Sequence, residues 1–279
     1  MRKLYKLPIL LLSTSVIMAS SMGNLKLTTS VSLDEMKQYL LDSNIPSLYL
    51  ESTSSEQIEH LYNDLYNQPF ECGESTVLTL TETTNVEARG TIPDEDMIFM
   101  ITPIYMYTDY TTKQIEHVYI TTAYRWLNIP FYLKQDAVIV NWDSNIFTLE
   151  ENSFYQYNYA ETDAIEGLSY KLESYNAANI TLSALAYNVQ LGRIVDDTFS
   201  YPPTKLYGSS NFNLIPAHNP TYYAPNHSVT SVTAQYRHNR NPFIGCIGFN
   251  IQGVSISFNT SVFTDTVADS ANIEYSTSI

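Results

Sequence analysis

The side chains able to do chemistry are few and scattered. Five histidines, His60, His117, His218, His227 and His238, are the natural metal ligands. None pairs as H-x-x-x-H or H-E-x-x-H, the spacing that puts two imidazoles on one helical face. His60, beside Glu59 on a helical stretch, reads as a solvated surface residue, and His218 and His227 could converge only through folding of a proline-rich segment. Asp94-Glu95-Asp96 is a compact oxygen cluster in a turn, and Asp196-Asp197 is another. Hard cations take such ligands, so calcium at Asp94, Glu95 and Asp96 is the one cation reading, but neither cluster fits the D-x-D-x-D-G loop with its distal Glu. Each reads first as an exposed acidic turn, and no cofactor is expected.

Nucleophilic catalysis fares no better. No G-x-S-x-G elbow is present, and Gly208-Ser209-Ser210 reads as a turn. Cys246 lies in GCIGF, which alternates like a strand; a thiol packed in a strand is inert, whereas a catalytic one needs an electropositive, accessible setting. With Cys72 it forms the only possible disulfide, which requires Cα atoms within roughly 7 Å. Glycoside hydrolysis needs two carboxyl groups facing each other across a sugar, and among 29 Asp and Glu the sequence singles out no pair. No Walker loop and no G-x-G-x-x-G is present, so nucleotide binding has no support.

The aromatic residues are more distinctive. Tyr155, Tyr157 and Tyr159 fall at i, i+2 and i+4, on one face of a strand, and Tyr105 and Tyr107 do the same on another. Such a row could stack on a sugar or cover a partner's apolar surface. It could equally line the edge of the core, ring inside and hydroxyl wet. If the row binds, the three rings must be largely exposed.

Composition and charge narrow the partners. The formal net charge is −15, with 14 Lys and Arg, which leaves no phosphate footprint and argues against nucleic acid. The 44% hydrophobic and 15% charged content excludes a disordered chain. Arg2, Lys3 and Lys6, an apolar run from Leu7 to Ala19, and small residues at Ala19-Ser20-Ser21 have the order of a secretory signal peptide over residues 1–21. The expected mature N-terminus is near Met22 and the expected destination is extracellular. Met97 to Tyr107, broken by Thr102 and Pro103, is too short to span a bilayer as a helix. A neutral glycan or a protein at a cell surface is the expected partner.

The elements that must position these residues begin with helices. Ser32 and Glu35 have capping-box spacing, and Leu33, Met36, Leu40 and Leu41 follow as a helical stripe that Asn44-Ile45-Pro46 ends. Thr53 with Glu56, or Ser54 with Gln57, offers a second cap for Ile58, Leu61, Tyr62 and Leu65. From Ser75 the period becomes two. Strands are expected at Met97–Tyr107, Ile115–Trp126, Ala137–Trp142, Ser153–Tyr159, Ile180–Leu191, Ser228–Tyr236, Phe243–Ile251 and Val254–Phe258. Asp196 to Asn226, with five prolines, is the most loop-like stretch. The fold class is mainly β, a sandwich or barrel-like pair of antiparallel sheets with a short N-terminal helical pair. The expected divisions are 1–21, a helical segment over 22–74 and a β-rich domain over 75–279.

The segment ITTAYRWLNIPFYLKQDAVIVNWDSNIF, with the preceding IPSLYLESTSSEQIEHLYNDL and the later IGCIGFNIQGVSISF, resembles a group of uncharacterised secreted proteins of clostridia-type bacteria. The resemblance implies bacterial export and a β-rich fold and carries no activity. Three functional classes follow. The first is a non-catalytic protein that binds at a cell surface. The second is a secreted hydrolase of glycan or peptide. The third is a membrane-active effector, since alternating Ser/Thr-rich segments such as Val254 to Val262 suit amphipathic hairpins.

Overall fold

Residues 31–73, 96–111, 114–195, 199–217, 223–239, 247, 249–258 and 264–277 are described by the computed structural model of the chain. Within the unit running from Ser32 onward, three helices come first: α1 (Leu33–Asp42), α2 (Ser47–Glu51) and α3 (Ser55–Leu65). Ser32 and Glu35 form the expected capping box, and Ser54 caps α3 by accepting from the Gln57 N–H. Asn44 and Asn67, with φ of 65° and 63°, take the left-handed conformation that turns the chain out of α1 and α3. The extra helix α2 starts immediately after Pro46. The proline that ends one helix is well placed to open the next, because its fixed φ suits a helix N-terminus and its missing N–H is not needed there.

The strands are β1 (Phe70–Cys72), β2 (Met97–Tyr107), β3 (Ile115–Trp126), β4 (Gln135–Asn141), β5 (Phe147–Leu149), β6 (Tyr155–Glu161), β7 (Ser169–Ser174), β8 (Asn179–Ile180), β9 (Ala184–Gln190), β10 (Ile194–Val195), β11 (Ser200–Tyr201), β12 (Lys205–Pro216), β13 (Tyr223–Asn239), β14 (Phe249–Gln252), β15 (Ser255–Phe258) and β16 (Thr264–Thr277). Sheet A runs β1-β2-β3-β12-β6-β7, with β5 also on β12, and sheet B runs β16-β13-β4-β9-β8. The pairings are antiparallel throughout, and the two sheets are open. The expected mainly β, sandwich-like class is therefore what the chain forms, and a closed barrel is not.

Alternation decides what each face holds. Phe99 and Ile101 of β2, Val118, Ile120 and Trp126 of β3, and Leu206, Phe212 and Leu214 of β12 point between the sheets. There they meet Val138 and Val140 of β4, Leu185, Tyr187 and Val189 of β9, and Val232 and Tyr236 of β13 in the main core. The intervening residues Met100, Ile104, Met106, Tyr119 and Ala123 face the other way and pack under Leu40, Ile58, Leu61 and Leu65 of the helices. Hydroxyls cross the main core: Thr122, Ser210 and Tyr187 form a triangle with edges of 2.8–3.0 Å that joins sheet A to sheet B.

β12 corrects the reading of Asp196 to Asn226 as loop-like. It lies inside sheet A, flanked by β3 and β6. Its polar composition hid it: in KLYGSSNFNLIP the inward positions include Gly208 and Ser210, chosen for close approach and hydrogen bonding rather than for apolar bulk. The expected single strand over Ile180–Leu191 is also two, β8 and β9, which fold back on each other.

Candidate functional site

β14 and β15 form a hairpin turning at Gly253, whose φ is 61°. The register pairs Phe249 with Phe258 and Ile251 with Ile256, so these residues share one face, while Asn250, Gln252, Ser255 and Ser257 share the other. The polar face is exposed. Ile256 and Phe258, with the nearby Ile247, are buried against the outer face of sheet B, on Ala137 and Ile139 of β4 and Ala184 and Ala186 of β9. Three alanines make that seat shallow. The hydroxyls of Thr181 and Ser183 both donate to the Val254 carbonyl, at 2.5 and 2.6 Å, and the Arg237 guanidinium lies 4.2 Å over the Phe258 ring. Near the turn the apolar positions are uncovered: Ile251 is 53% and Val254 46% exposed.

The hairpin belongs to the connection between β13 and β16. These strands pair from Tyr223 opposite Thr277 to Asn239 opposite Thr264, whereas β4 pairs with β13 only from Thr233 to Arg237. The sequence from Asn241 to Thr264 holds no Asp, Glu, Lys or Arg. Within it, Phe243, Ile247, Phe249 and Ile251, then Val254, Ile256, Phe258 and Val262, alternate with small or polar residues. This 24-residue uncharged run, bracketed by Arg240 and Asp265, is the signal that reading Val254 to Val262 alone leaves incomplete.

At the base of β13 a buried polar group anchors the frame. Asp136 accepts from the Tyr236 hydroxyl at 2.6 Å and from the Asn239 N–H at 2.9 Å, and His238 Nδ1 lies 3.0 Å from both carboxylate oxygens. Burial pushes the Asp136 pKa up, and His238, the Tyr236 hydroxyl and the Asn239 N–H work against that rise. The residues forming this cluster are spread over a hundred positions, and no local motif marks it.

Tyr155, Tyr157 and Tyr159 do share a face, the outer face of sheet A, but they are not an open stripe. Tyr155 and Tyr157 are only 5% and 4% exposed, and Tyr159 is half-buried. The Tyr155 hydroxyl lies 2.8 Å from the Ser54 hydroxyl, which ties β6 to the cap of α3. The helical layer covers what alternation alone left open. Tyr105 and Tyr107 belong to the main core, their rings parallel with centroids 6.5 Å apart.

Cys72 on β1 carries a free thiol that burial pushes up to about 12, and Cys246 lies outside the described residues. Of the acidic turn, Asp94 and Glu95 also lie outside them, while the Asp96 carboxylate accepts from the Asn128 amide at 2.9 Å. Among the described residues no three His, Cys, Asp or Glu side chains gather as a metal site. No helix among them is long and apolar enough to cross a membrane. His60 pairs with Asp64 at 2.9 Å on the exposed side of α3, as a surface histidine does.

No family model matches the chain and no curated protein does. Solved structures similar to it include one described as a pore forming protein, at 5% identity and a TM-score of 0.36 over 74% of this chain and 91% of the other. Another is Clostridium perfringens delta-toxin, at 7% identity and a TM-score of 0.33 over 77% and 95%.

Proposed function

We propose that this protein is a secreted, membrane-active effector that binds at a cell surface and inserts the β14–β15 hairpin, with its uncharged flanks, into the bilayer. The observation carrying this is the sorting of the hairpin. Ile256 and Phe258 of its apolar face are hidden on sheet B and its polar face is wet, within a run long enough to cross. A membrane-spanning strand needs about 9–11 residues, and the uncharged sequence supplies that length on each side of Gly253. Burying a residue such as Ile256 or Phe258 stabilises the docked state by about 1.5–3 kcal/mol each. Transfer into hydrocarbon keeps that burial, so leaving the alanine seat costs little beyond the hydroxyl contacts at Val254. One hairpin alone would expose two unpaired strand edges to lipid, each orphaned backbone group costing several kcal/mol. Insertion therefore requires several copies to close a barrel, and Asn250, Gln252, Ser255 and Ser257 would then line a wet lumen.

The test is a tether. Ser183→Cys with Val254→Cys joins positions whose side chain and carbonyl are now 2.6 Å apart. The wild-type chain is expected to release dye from phosphatidylcholine vesicles, the oxidised double variant to release none, and the reduced variant to regain release. Equal release from oxidised and reduced forms, or none from wild type, would refute the proposal.

A further inference from the structure

At one end of the sandwich, register sets Trp126 of β3 opposite Leu206 of β12, Glu161 of β6 opposite Lys205 of β12, and Gln135 of β4 opposite Gln190 of β9. The Trp126 indole N–H donates to the Tyr236 hydroxyl at 3.3 Å, which joins this end of sheet A to the same end of sheet B. Three connections cross it: residues 127–134, 162–168 and 191–204, the last carrying β10 and β11. Each is pinned by apolar residues turned inward. Ile129, Leu133 and Leu168 pack against the main core, and Ile194 lies within it. Each also turns apolar residues outward: Leu127 and Phe131 from the first, Ile165 from the second, Val195 and Phe199 from the third. Phe131 is 91%, Val195 68% and Phe199 63% exposed. Single exposed apolar residues are ordinary, but five on pinned connections at one end mark an interaction surface.

The course of the chain and the charge both point to lipid. β13 and β16 end here, Asn239 opposite Thr264, so the connection that holds the hairpin starts and finishes at this end. The docked hairpin is folded back from it. Its turn is held by Thr181 and Ser183, beside Ala184, which pairs with Asn141 at the far end of β4. The basic side chains Arg193 and Lys205 are engaged, the first donating to Ser200 at 3.0 Å and the second pairing with Glu161 at 3.2 Å. Asp163 and Glu166, around Ile165, are exposed. Such a surface, on a chain of net charge −15, disfavours anionic lipid and suits lipid without net charge.

We infer that this end of the sandwich docks on a bilayer of zwitterionic lipid, with Phe131, Val195 and Phe199 entering the boundary between headgroups and acyl chains. The inference rests on the insertion reading for its class of partner and deepens it: docking comes first and sets the root of the hairpin against the lipid it enters.

The experiment is flotation with phosphatidylcholine vesicles in the oxidised Ser183→Cys/Val254→Cys form, whose hairpin cannot leave sheet B. This form is expected to float, and phosphatidylglycerol is expected not to strengthen binding. In the same background Phe131→Ser is expected to weaken binding roughly 3- to 10-fold, about half the worth of burying a phenylalanine fully. The Phe131→Ser/Val195→Ser/Phe199→Ser variant should lose roughly 30-fold or more on the same scale, with an unchanged melting temperature. Ile180→Ser/Leu182→Ser, at exposed apolar positions beside the docked turn, should float like its parent. No flotation of the tethered form, undiminished flotation of the triple variant, or loss only in the Ile180/Leu182 variant would overturn the inference. So would binding to vesicles made from cell membranes but not to protein-free ones, which would assign the surface to a protein receptor. Dye release by the untethered wild type without flotation of the tethered form would sink docking and leave insertion standing. Flotation without dye release would do the reverse.

Discussion

Gly208, an inward position of β12, shows how tightly single residues set the packing of sheet A. A Cβ at that position would lie 2.3 Å from the Tyr157 carbonyl oxygen and 2.8 Å from the Tyr124 ring. The first contact is with backbone, which cannot swing aside. Gly208→Ala is therefore expected to destabilise the protein by about 1–3 kcal/mol, the usual range for overpacking. The melting temperature should fall by about 2–4 °C for each kcal/mol. A melt unchanged within a degree would show that β6 and β12 yield more easily than their spacing implies. At the same scale, Tyr155 and Tyr157 differ although they share a face. The first hydrogen-bonds the Ser54 hydroxyl and ties β6 to the helical layer, whereas the second is buried by packing, with no side-chain hydrogen bond among the described residues.

At the scale of elements, local chemistry was legible in the sequence where it was strong. Ser32 and Ser54 announced their helices through capping, and Ile58, Leu61 and Leu65 are buried as their spacing requires. β2 and β3 run over the residues that their alternation marks, because apolar side chains on both faces meet a core, the helices outside and sheet B inside. β12 was not legible. Its centre is Gly-Ser-Ser-Asn, and what makes it a strand is the company of β3 and β6, which no local pattern records. β7 was missed because it covers no core: Ser169 to Glu173 are exposed, and pairing with β6 is what holds them extended. Of the candidate site, the sequence disclosed the shared face of the three tyrosines and the alternation after Val254. It did not disclose the helical layer over Tyr155.

The whole molecule keeps its main core between the two sheets, and the hairpin seat on sheet B is a separate cluster. Release of β14 and β15 therefore leaves the sheet-to-sheet packing in place. The buried surfaces on both faces of sheet A are rich in tyrosine, which gives a collective pH response. Tyr155, Tyr157 and Tyr187 are each pushed up to about 12, chiefly by burial. An acid whose folded pKa exceeds its unfolded value of 10 keeps its proton in the fold after the unfolded chain has lost it. Its stabilising contribution is complete below about pH 10 and disappears as pH rises to about 12. The melting temperature should fall across that window, with phenolate absorbance appearing together with unfolding; full phenolate titration near pH 10 in a chain that stays folded would contradict this.

The most direct test of membrane insertion follows the hairpin residue by residue. In a Cys72→Ser/Cys246→Ser background, single cysteines from Phe249 to Phe258 would carry an environment-sensitive fluorophore, read with and without vesicles. The expected result is a period-two response on adding vesicles. Labels at Phe249, Ile251, Ile256 and Phe258 brighten and become quenchable by spin-labelled lipid, while those at Asn250, Gln252, Ser255 and Ser257 stay in water. No change on adding vesicles, or a change without that alternation, would contradict insertion as a β-hairpin.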